Sequence, residues 1–393
     1  MDTARRLLLL SVVATGIAAV AARAMRRVRK VAACCYVSRD GAKYPLSQPR
    51  WRADGDGPPE PLMLTELPGI TRRDIRTKER SLWRYAAAFP LPCESPISLG
   101  EGCTPLMRRK LGGHDVFFKC EWFNPTCSFK DRGTTVMLSL LRQQGVTDVL
   151  EDSSGNGGAS VACYAAAGGL SATIMAPDST SPAKTVQMRA HGAAVELIPG
   201  SRQATADAAV AAHGRDGGKV FYASHNWQPF FLQGTKTLAY ELWEDMGFRA
   251  PDNVIIPTGA GSNILGCDLG FSELRASGEI QSLPRLFCAQ PLVCSPIATA
   301  IQAAIGEEDG KVAPEAWNTP TKTMAEGTSI AQPVGRLTSP RLTSPRLTSP
   351  RLSSPRLSSP RLSSPRLSSP YPTPPTPRLP PCRSFSAHTI DLT

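Results

Sequence analysis

The chain has no Cys-x-x-Cys pair, no Gly-Lys-Ser/Thr triplet and few acidic residues at either end. Without paired Cys-x-x-Cys motifs, its 11 cysteines do not frame a zinc knuckle. Their number is odd, and they read as reduced, mostly buried thiols in a reducing compartment rather than as a disulfide framework. Without Gly-Lys-Ser/Thr there is no P-loop. The N-terminal apolar run Leu7 to Ala22 is 16 residues, short of the roughly 20 that a bilayer-crossing helix needs.

The missing acids explain the charge. The net charge of +11 first suggests a nucleic-acid or membrane partner. Residues 1–50 hold 10 Lys+Arg against 2 Asp+Glu, and residues 336–393 hold 9 Arg against 1 Asp, so each end contributes +8. Residues 51–335 are left with 25 basic and 30 acidic residues, a net −5. The basic character lies in the ends, which argues against a nucleic-acid-binding body. Asp2 is the only acid before Asp40, and arginines flank the apolar run on both sides. This composition fits an organelle transit peptide (plastid or mitochondrial), with a secretory signal or a membrane anchor through 7–22 as alternatives.

The 393 residues are enough for about two to three domains. Strand-like and helix-like runs alternate from about Val116. "VFFKCEWF" (116–123) reads as a strand, and a helix follows Lys130 with Val136, Met137, Leu140 and Leu141 at helical spacing. "VTDVLEDSS", "SATIMAP", "AAVELIPG", "KVFYAS", "DNVIIP" and "RLFCAQ" read as further strands. Helices separate them at 158–167, after Ser181-Pro182, at 203–213 and around Leu238 to Met246. In the Ser181-Pro182 helix, Ala183, Val186 and Ala190 are expected to line one face. Alternation at this pace predicts an α/β protein with a parallel sheet covered on both faces.

The tail is of another kind. From Arg336, three copies of RLTSP and four of RLSSP run to Pro370, followed by "YPTPPTPRLPP". A proline in every pentad excludes a helix or a central strand, and one leucine per repeat cannot build a core. The tail, 336–393, is expected to be disordered. Its Ser-Pro steps, each with Arg three residues before the serine, suit phosphorylation. The near-identical copies favour instead a recent repeat expansion or a mistranslated 3′ end.

Three strand-to-helix loops are placed to carry chemistry. "NPTCSFKDRG" (124–133) presents Lys130, either as a surface charge or as a buried amine held for chemistry. "SSGNGGAS" (153–160) offers Ser153, Ser154 and Asn156, which can bind a carboxylate or ring hydroxyl, or can cap the helix that follows. "PTGAGSN" (257–263) lets backbone N–H groups and a helix N-terminus approach an anion, or is an ordinary tight turn. An amine, a polar loop and an anion cradle together suggest a Schiff base with an aldehyde cofactor, pyridoxal 5'-phosphate.

On these motifs, with "LGEGCTPL" (99–106), "APDSTSPAK" (176–184) and "SHNWQPFFLQGTKTLAYEL" (224–242), the chain resembles the threonine synthase branch of fold-type-II pyridoxal-phosphate enzymes. The resemblance covers roughly 98–335, with six motifs in family order. It implies two doubly wound parallel-sheet subdomains with the cofactor cleft between them, after a small N-terminal region at 35–97. It implies that Lys130 carries the cofactor, Asn156 contacts the ring oxygen, and Gly259, Ala260, Gly261, Ser262 and Asn263 hold the phosphate. Ser153 and Ser154 would meet the carboxylate of a small amino-acid substrate. The implied reaction converts O-phosphohomoserine to L-threonine and phosphate in a homodimer. The family's N-terminal metal knuckle has only Cys35 as a counterpart, so no zinc is expected.

The sequence departs from the pattern in three places. Cys127 stands where relatives carry glycine and is expected to crowd the cofactor. Ala260 stands where the phosphate loop usually has asparagine. The likeness ends at "AEGTSIAQPVG" (325–335), so the family's later elements, including the Ser or Thr that bonds the pyridine nitrogen, are missing. Losing them removes apolar burial worth roughly 25 cal/mol per Å². Two rivals follow: another type-II lyase such as a Ser/Thr dehydratase, and a truncated, non-catalytic relative whose basic ends bind an anionic surface or a phospho-dependent partner.

Overall fold

The computed structural model describes residues 33–55, 59–213, 219–304, 317, 323–333 and 347–348. The run 7–22 and almost all of the repeat tail lie outside these residues. Among the described residues, no helix is long and apolar enough to cross a membrane, and all ten cysteines are free thiols.

The described chain begins with a small antiparallel sheet of β1 (Cys35–Val37), β2 (Lys43–Pro45) and β3 (Met63–Leu64), in the order β2-β1-β3. A hairpin follows, β4 (Leu106–Leu111) and β5 (His114–Lys119), with Leu111 opposite His114. Its turn residues Gly112 and Gly113 have φ 57° and 84°, as a tight two-residue hairpin turn requires. This corrects the reading of 116–123. Only its first half is strand, paired antiparallel with β4, and Glu121–Phe123 is a 3-10 turn. The aromatic run signals a strand but not its partner, and a partner two residues away closes the smallest loop.

The first parallel sheet contains β6 (Asp148–Glu151), β7 (Ser171–Pro177), β8 (Ala194–Ile198) and β9 (Val220–Tyr222), in the order β8-β7-β6-β9. The chain steps outward from β6 to β8, then returns to pair β9 with the other edge of β6. The strand order reverses there, so a crevice opens at the C-terminal ends of β6 and β9. Helices α1 (Lys130–Gln143), α2 (Asn156–Gly168), α3 (Pro182–Ala190) and α4 (Arg202–Ala212) complete this part. In α3 the expected apolar face is not the buried one. Thr185 and Met188 are buried and Val186 is exposed. Met188 sets the inward side because its methyl fills the space left by Gly158 of α2.

Two further helices, α5 (Pro229–Thr235) and α6 (Thr237–Asp245), lead to a second parallel sheet. There β10 (Asn253–Pro257) pairs with β11 (Arg285–Ala289), and α7 (Ser262–Ala276) lies between them in the chain. After α8 (Pro296–Ala304), the two-residue β12 (Leu347–Thr348) pairs in parallel with Leu286 and Phe287. This strand falls inside the third RLTSP copy, where no regular structure was expected. Leu and Thr both have the N–H that proline lacks, and two residues fit between the prolines.

Each sheet has its own core. Val149, Leu150, Ile174 and Met175 pack with Val136 and Leu140 of α1. Ile256, Leu286 and Cys288 pack with Ile264, Leu265 and Phe271 of α7. The expected pair of parallel-sheet cores is therefore present; among the described residues only the first sheet reverses its strand order. Helix α5 serves both cores, with Phe230 and Phe231 in the first and Leu232 in the second.

This double duty depends on close approach. A Cβ on Gly234 of α5 would overlap the Arg132 carbonyl of α1, and one on Gly133 would overlap the Phe231 ring. On the other side, a Cβ on Gly266 of α7 would overlap Thr235. Beside this contact runs a buried ionic network. Arg132 donates from Nε to Glu121 at 2.6 Å and from Nη1 to Glu241 at 2.8 Å. Lys119 reaches Glu241 at 2.5 Å and Asp245 at 2.6 Å. Burial works against the charge of Glu241, but Arg132 and Lys119 outweigh it and hold the carboxyl well below the usual carboxylate range. Gly234→Ala is expected to force α5 off α1 and to cost about 1–3 kcal/mol, the usual overpacking cost. The readout is a lower denaturant midpoint.

Candidate functional site

Lys130 is the first residue of α1 and half-buried. Its backbone N–H donates to the Ser128 hydroxyl at 3.2 Å. Its ammonium lies 4.9 Å from the Phe129 ring centroid and 5.6 Å from that of Phe231. These rings help to strip water from the amine. Burial pushes its pKa down, the charge of Glu151 pulls it up and Arg202 pushes it down, leaving it at about 7. Of the two readings of Lys130, the structure favours a desolvated amine over a surface charge.

The loop leaving β6 carries Ser153 (buried), Ser154 (half-buried) and Asn156 (exposed, first residue of α2). It opens into the crevice at the reversal of strand order. Gly157 is needed here for space, since a Cβ would lie 2.8 Å from both the Ser153 hydroxyl and Nδ1 of His225.

The glycine turn joins β10 to α7. Gly261 precedes α7 with φ 95°, a left-handed conformation that glycine adopts without strain. Gly259 and Ala260 are half-buried, and Ser262 is buried. The turn points the first N–H groups of a 15-residue helix toward one place. Asn263, in the first turn of α7, has a buried amide oxygen with no partner among the described residues. Gln290 donates to the Gly259 carbonyl at 3.4 Å and accepts from the N–H groups of Ile297 and Ala298 at 3.0 Å.

Helix α5 links the amine to the turn. Phe231 faces Lys130, and Thr235, four residues later, lies 3.3 Å from the Ser262 carbonyl. Positions four apart share a helix face and are about 6 Å apart. Lys130 and the start of α7 therefore border the same face of α5. An aldehyde with an anionic arm fits these residues: an amine held near neutrality, and a turn with no side chain at Gly259 or Gly261 at the N-terminus of α7.

Sequence reasoning missed Phe231, Thr235, Gln290 and the buried Glu151–His225 pair. Glu151 and Phe231 lie inside quoted motifs, but nothing in those motifs marks which way they point. Cys127, expected to crowd the site, is exposed and has φ 61°. Glycine suits this position because of the backbone conformation.

The profile of the family described as "Pyridoxal-phosphate dependent enzyme" matches residues 97–344. A threonine synthase of Methanocaldococcus jannaschii is 34% identical over 240 residues, covering 59% of this chain and 58% of the relative. A threonine synthase of Methanosarcina acetivorans is 31% identical over 271 residues, covering 67% and 64%. The chain thus spans about three fifths of the length of these relatives. Among solved structures, maize serine racemase matches with TM-score 0.50 and 25% identity, covering 61% of this chain and 70% of that one. A threonine deaminase from T.th. matches in fold, with TM-score 0.51 and 24% identity over 63% and 76%.

A non-glycine residue in the left-handed region costs roughly 1–2 kcal/mol, partly offset by the freedom glycine adds to the unfolded chain. Cys127→Gly is therefore expected to stabilise the protein by about 0.5–1 kcal/mol. Thermal unfolding with a raised midpoint is the check.

Proposed function

Starting from a chain that belongs to the family of pyridoxal-phosphate dependent enzymes, matched over residues 97–344, we propose a threonine synthase-like lyase that converts O-phosphohomoserine and water to L-threonine and phosphate. The observation that carries this reading is the Lys130 amine, desolvated to a pKa of about 7 and bordering the face of α5 that leads to the glycine turn. The relatives named threonine synthase support the choice of substrate.

Lys130 would hold the cofactor through its amine, and the backbone N–H groups from Gly259 to Asn263 would hold the cofactor's phosphate. Ala260 contributes only its backbone there. Asn156 would donate to the ring oxygen. When bound, the cofactor supplies an aldehyde carbon for the amine and a ring that accepts the electron pair of a broken C–H bond. Ser153 and Ser154 would donate hydrogen bonds to the substrate carboxylate and so orient the C–H bond. The released Lys130 amine would take that proton and return it at the end of the reaction. Phe129 and Phe231 keep bulk water from the amine.

The exposed Phe117, Trp122 and Phe123, on β5 and the 3-10 turn after it, support a homodimer in this reading. A solution mass of twice the 42.1 kDa chain in sedimentation is the expected outcome. Delivery to a plastid or mitochondrion, or a membrane anchor instead, is proposed on the composition of residues 1–34 alone.

Reconstituted with pyridoxal phosphate, the chain is expected to show an absorbance band that borohydride bleaches and Lys130→Ala lacks. Capture should set in as pH rises through about 7, because only the uncharged amine attacks and burial has brought its pKa there. Phosphate release from O-phosphohomoserine should follow, and Lys130→Ala should lose it by about 10²–10⁴-fold. Ammonia and 2-oxo acid from serine or threonine without phosphate release would replace this reading with a dehydratase. No band at all would leave a non-catalytic relative.

A further inference from the structure

Asp131, the second residue of α1, directly follows Lys130 and is fully buried. A buried carboxylate is costly unless donors surround it, and Asp131 has three. Its Oδ2 accepts from the Thr126 backbone N–H at 2.7 Å. Its Oδ1 accepts from the Thr126 hydroxyl at 2.5 Å and from the Ser160 hydroxyl at 2.6 Å. The N-terminus of α1 adds favourable partial positive charge. Thr134, one turn further into α1, has its hydroxyl 2.8 Å from that of Ser160 and completes the chain of contacts. Thr126, Thr134 and Ser160 are buried as well, which keeps bulk water from competing for these bonds.

The contacts join three segments. Thr126 belongs to the loop before Lys130 and immediately precedes Cys127, whose backbone is left-handed at φ 61°. The Cys127 N–H donates to the Asn124 carbonyl at 2.8 Å, so this loop is closed on itself as well as tied to Asp131. Asp131 lies in α1. Ser160 lies in α2, four residues after Asn156 and on the same helix face. The carboxylate is thus one residue from Lys130 and, through Ser160, one helical turn from Asn156. Apolar packing is non-directional and leaves the register of two helices loose, whereas hydrogen bonds of this geometry do not.

We propose that Asp131 is a positioning residue whose carboxylate, through Thr126 and Ser160, holds the Lys130 amine in register with the Asn156 end of α2. Helix α5 sets the spacing from the amine to the glycine turn, and Asp131 sets the spacing from the amine to the polar loop. The role rests on Lys130 being the cofactor lysine and Asn156 a contact of the cofactor ring.

Two measurements on the whole chain test it. Without cofactor, hydrogen exchange read by mass spectrometry should quicken roughly tenfold in Ser160→Ala, at 124–130 and at 153–160 together, as the loss of one such bond implies. With pyridoxal phosphate added, the rate at which Lys130 captures it, read on the borohydride-fixed peptide, should fall about 10–100-fold in Asp131→Ala and in Ser160→Ala. Thr126→Ser keeps the hydroxyl and should retain the wild-type rate. Should Asp131→Ala fail to fold, Ser160→Ala decides. A merely structural role would lower the denaturant midpoint and leave the capture rate of the folded chain unmoved, and that result overturns the proposal. Faster exchange in one loop alone overturns it too. A wild-type chain that captures no pyridoxal phosphate overturns the functional reading and this role with it, whereas wild-type capture that the variants leave unchanged overturns the positioning role alone.

Discussion

The approach of α5 to α1 at Gly234, closer than any side chain permits, is the constraint on which the rest of the structure depends. It lets a seven-residue helix belong to two cores and carry Phe231 to the lysine side and Thr235 to the glycine-turn side. So short a helix would be unstable alone, and its order comes from packing on both flanks. The spacing between the Lys130 amine and the glycine turn is therefore a property of helix–helix contact. The loops that bear the chemistry only inherit it.

Helix α1 shows how burial has opposite consequences two residues apart. Arg132 is fully buried and charged, because Glu121 and Glu241 supply direct partners and a guanidinium cannot practically deprotonate. Lys130 has no ion-pair partner among the described residues and carries an amine that can lose its proton, so desolvation brings its pKa to about 7. The ion-paired arginine secures the first turn of the helix, and the lysine at its start is left to titrate. Replacing either partner of the arginine would leave a charge buried without compensation, which is costly.

Periodicity revealed the alternation of the two parallel sheets, and local chemistry marked Lys130, the Ser153–Asn156 loop and the turn from Gly259 to Asn263 as candidates. These are features whose residues are adjacent in the chain. What was hidden depended on which residues pair or pack together, whether near in the chain or far apart. The aromatic run before Lys130 looked like a sheet strand because composition does not name its hairpin partner. Val186 looked like a core residue because a short helix with few large apolar residues takes its buried face from one methionine. The two-residue β12 was invisible because its pairing is an edge event against β11. Glu151 and His225, 74 positions apart, meet only because β9 returns beside β6.

The two departures in the motifs have different physical weight. Ala260 brings no side-chain donor to the turn, but the features that suit a turn to an anion, backbone N–H groups and the helix N-terminus behind them, do not depend on its side chain. Cys127 places a Cβ at φ 61° in the segment that leads into α1, so the chain stores strain near its amine. The glycine turn is also closed from outside. A Cβ on Gly259 would meet the Gly327 carbonyl at 2.9 Å and Ile330 at 3.3 Å, so residues 326–330 fold back over it. These lie in the last motif of the resemblance, beyond both strands that flank the turn. The glycine turn is therefore enclosed by more than its own loop: residues some 70 positions downstream form one of its walls.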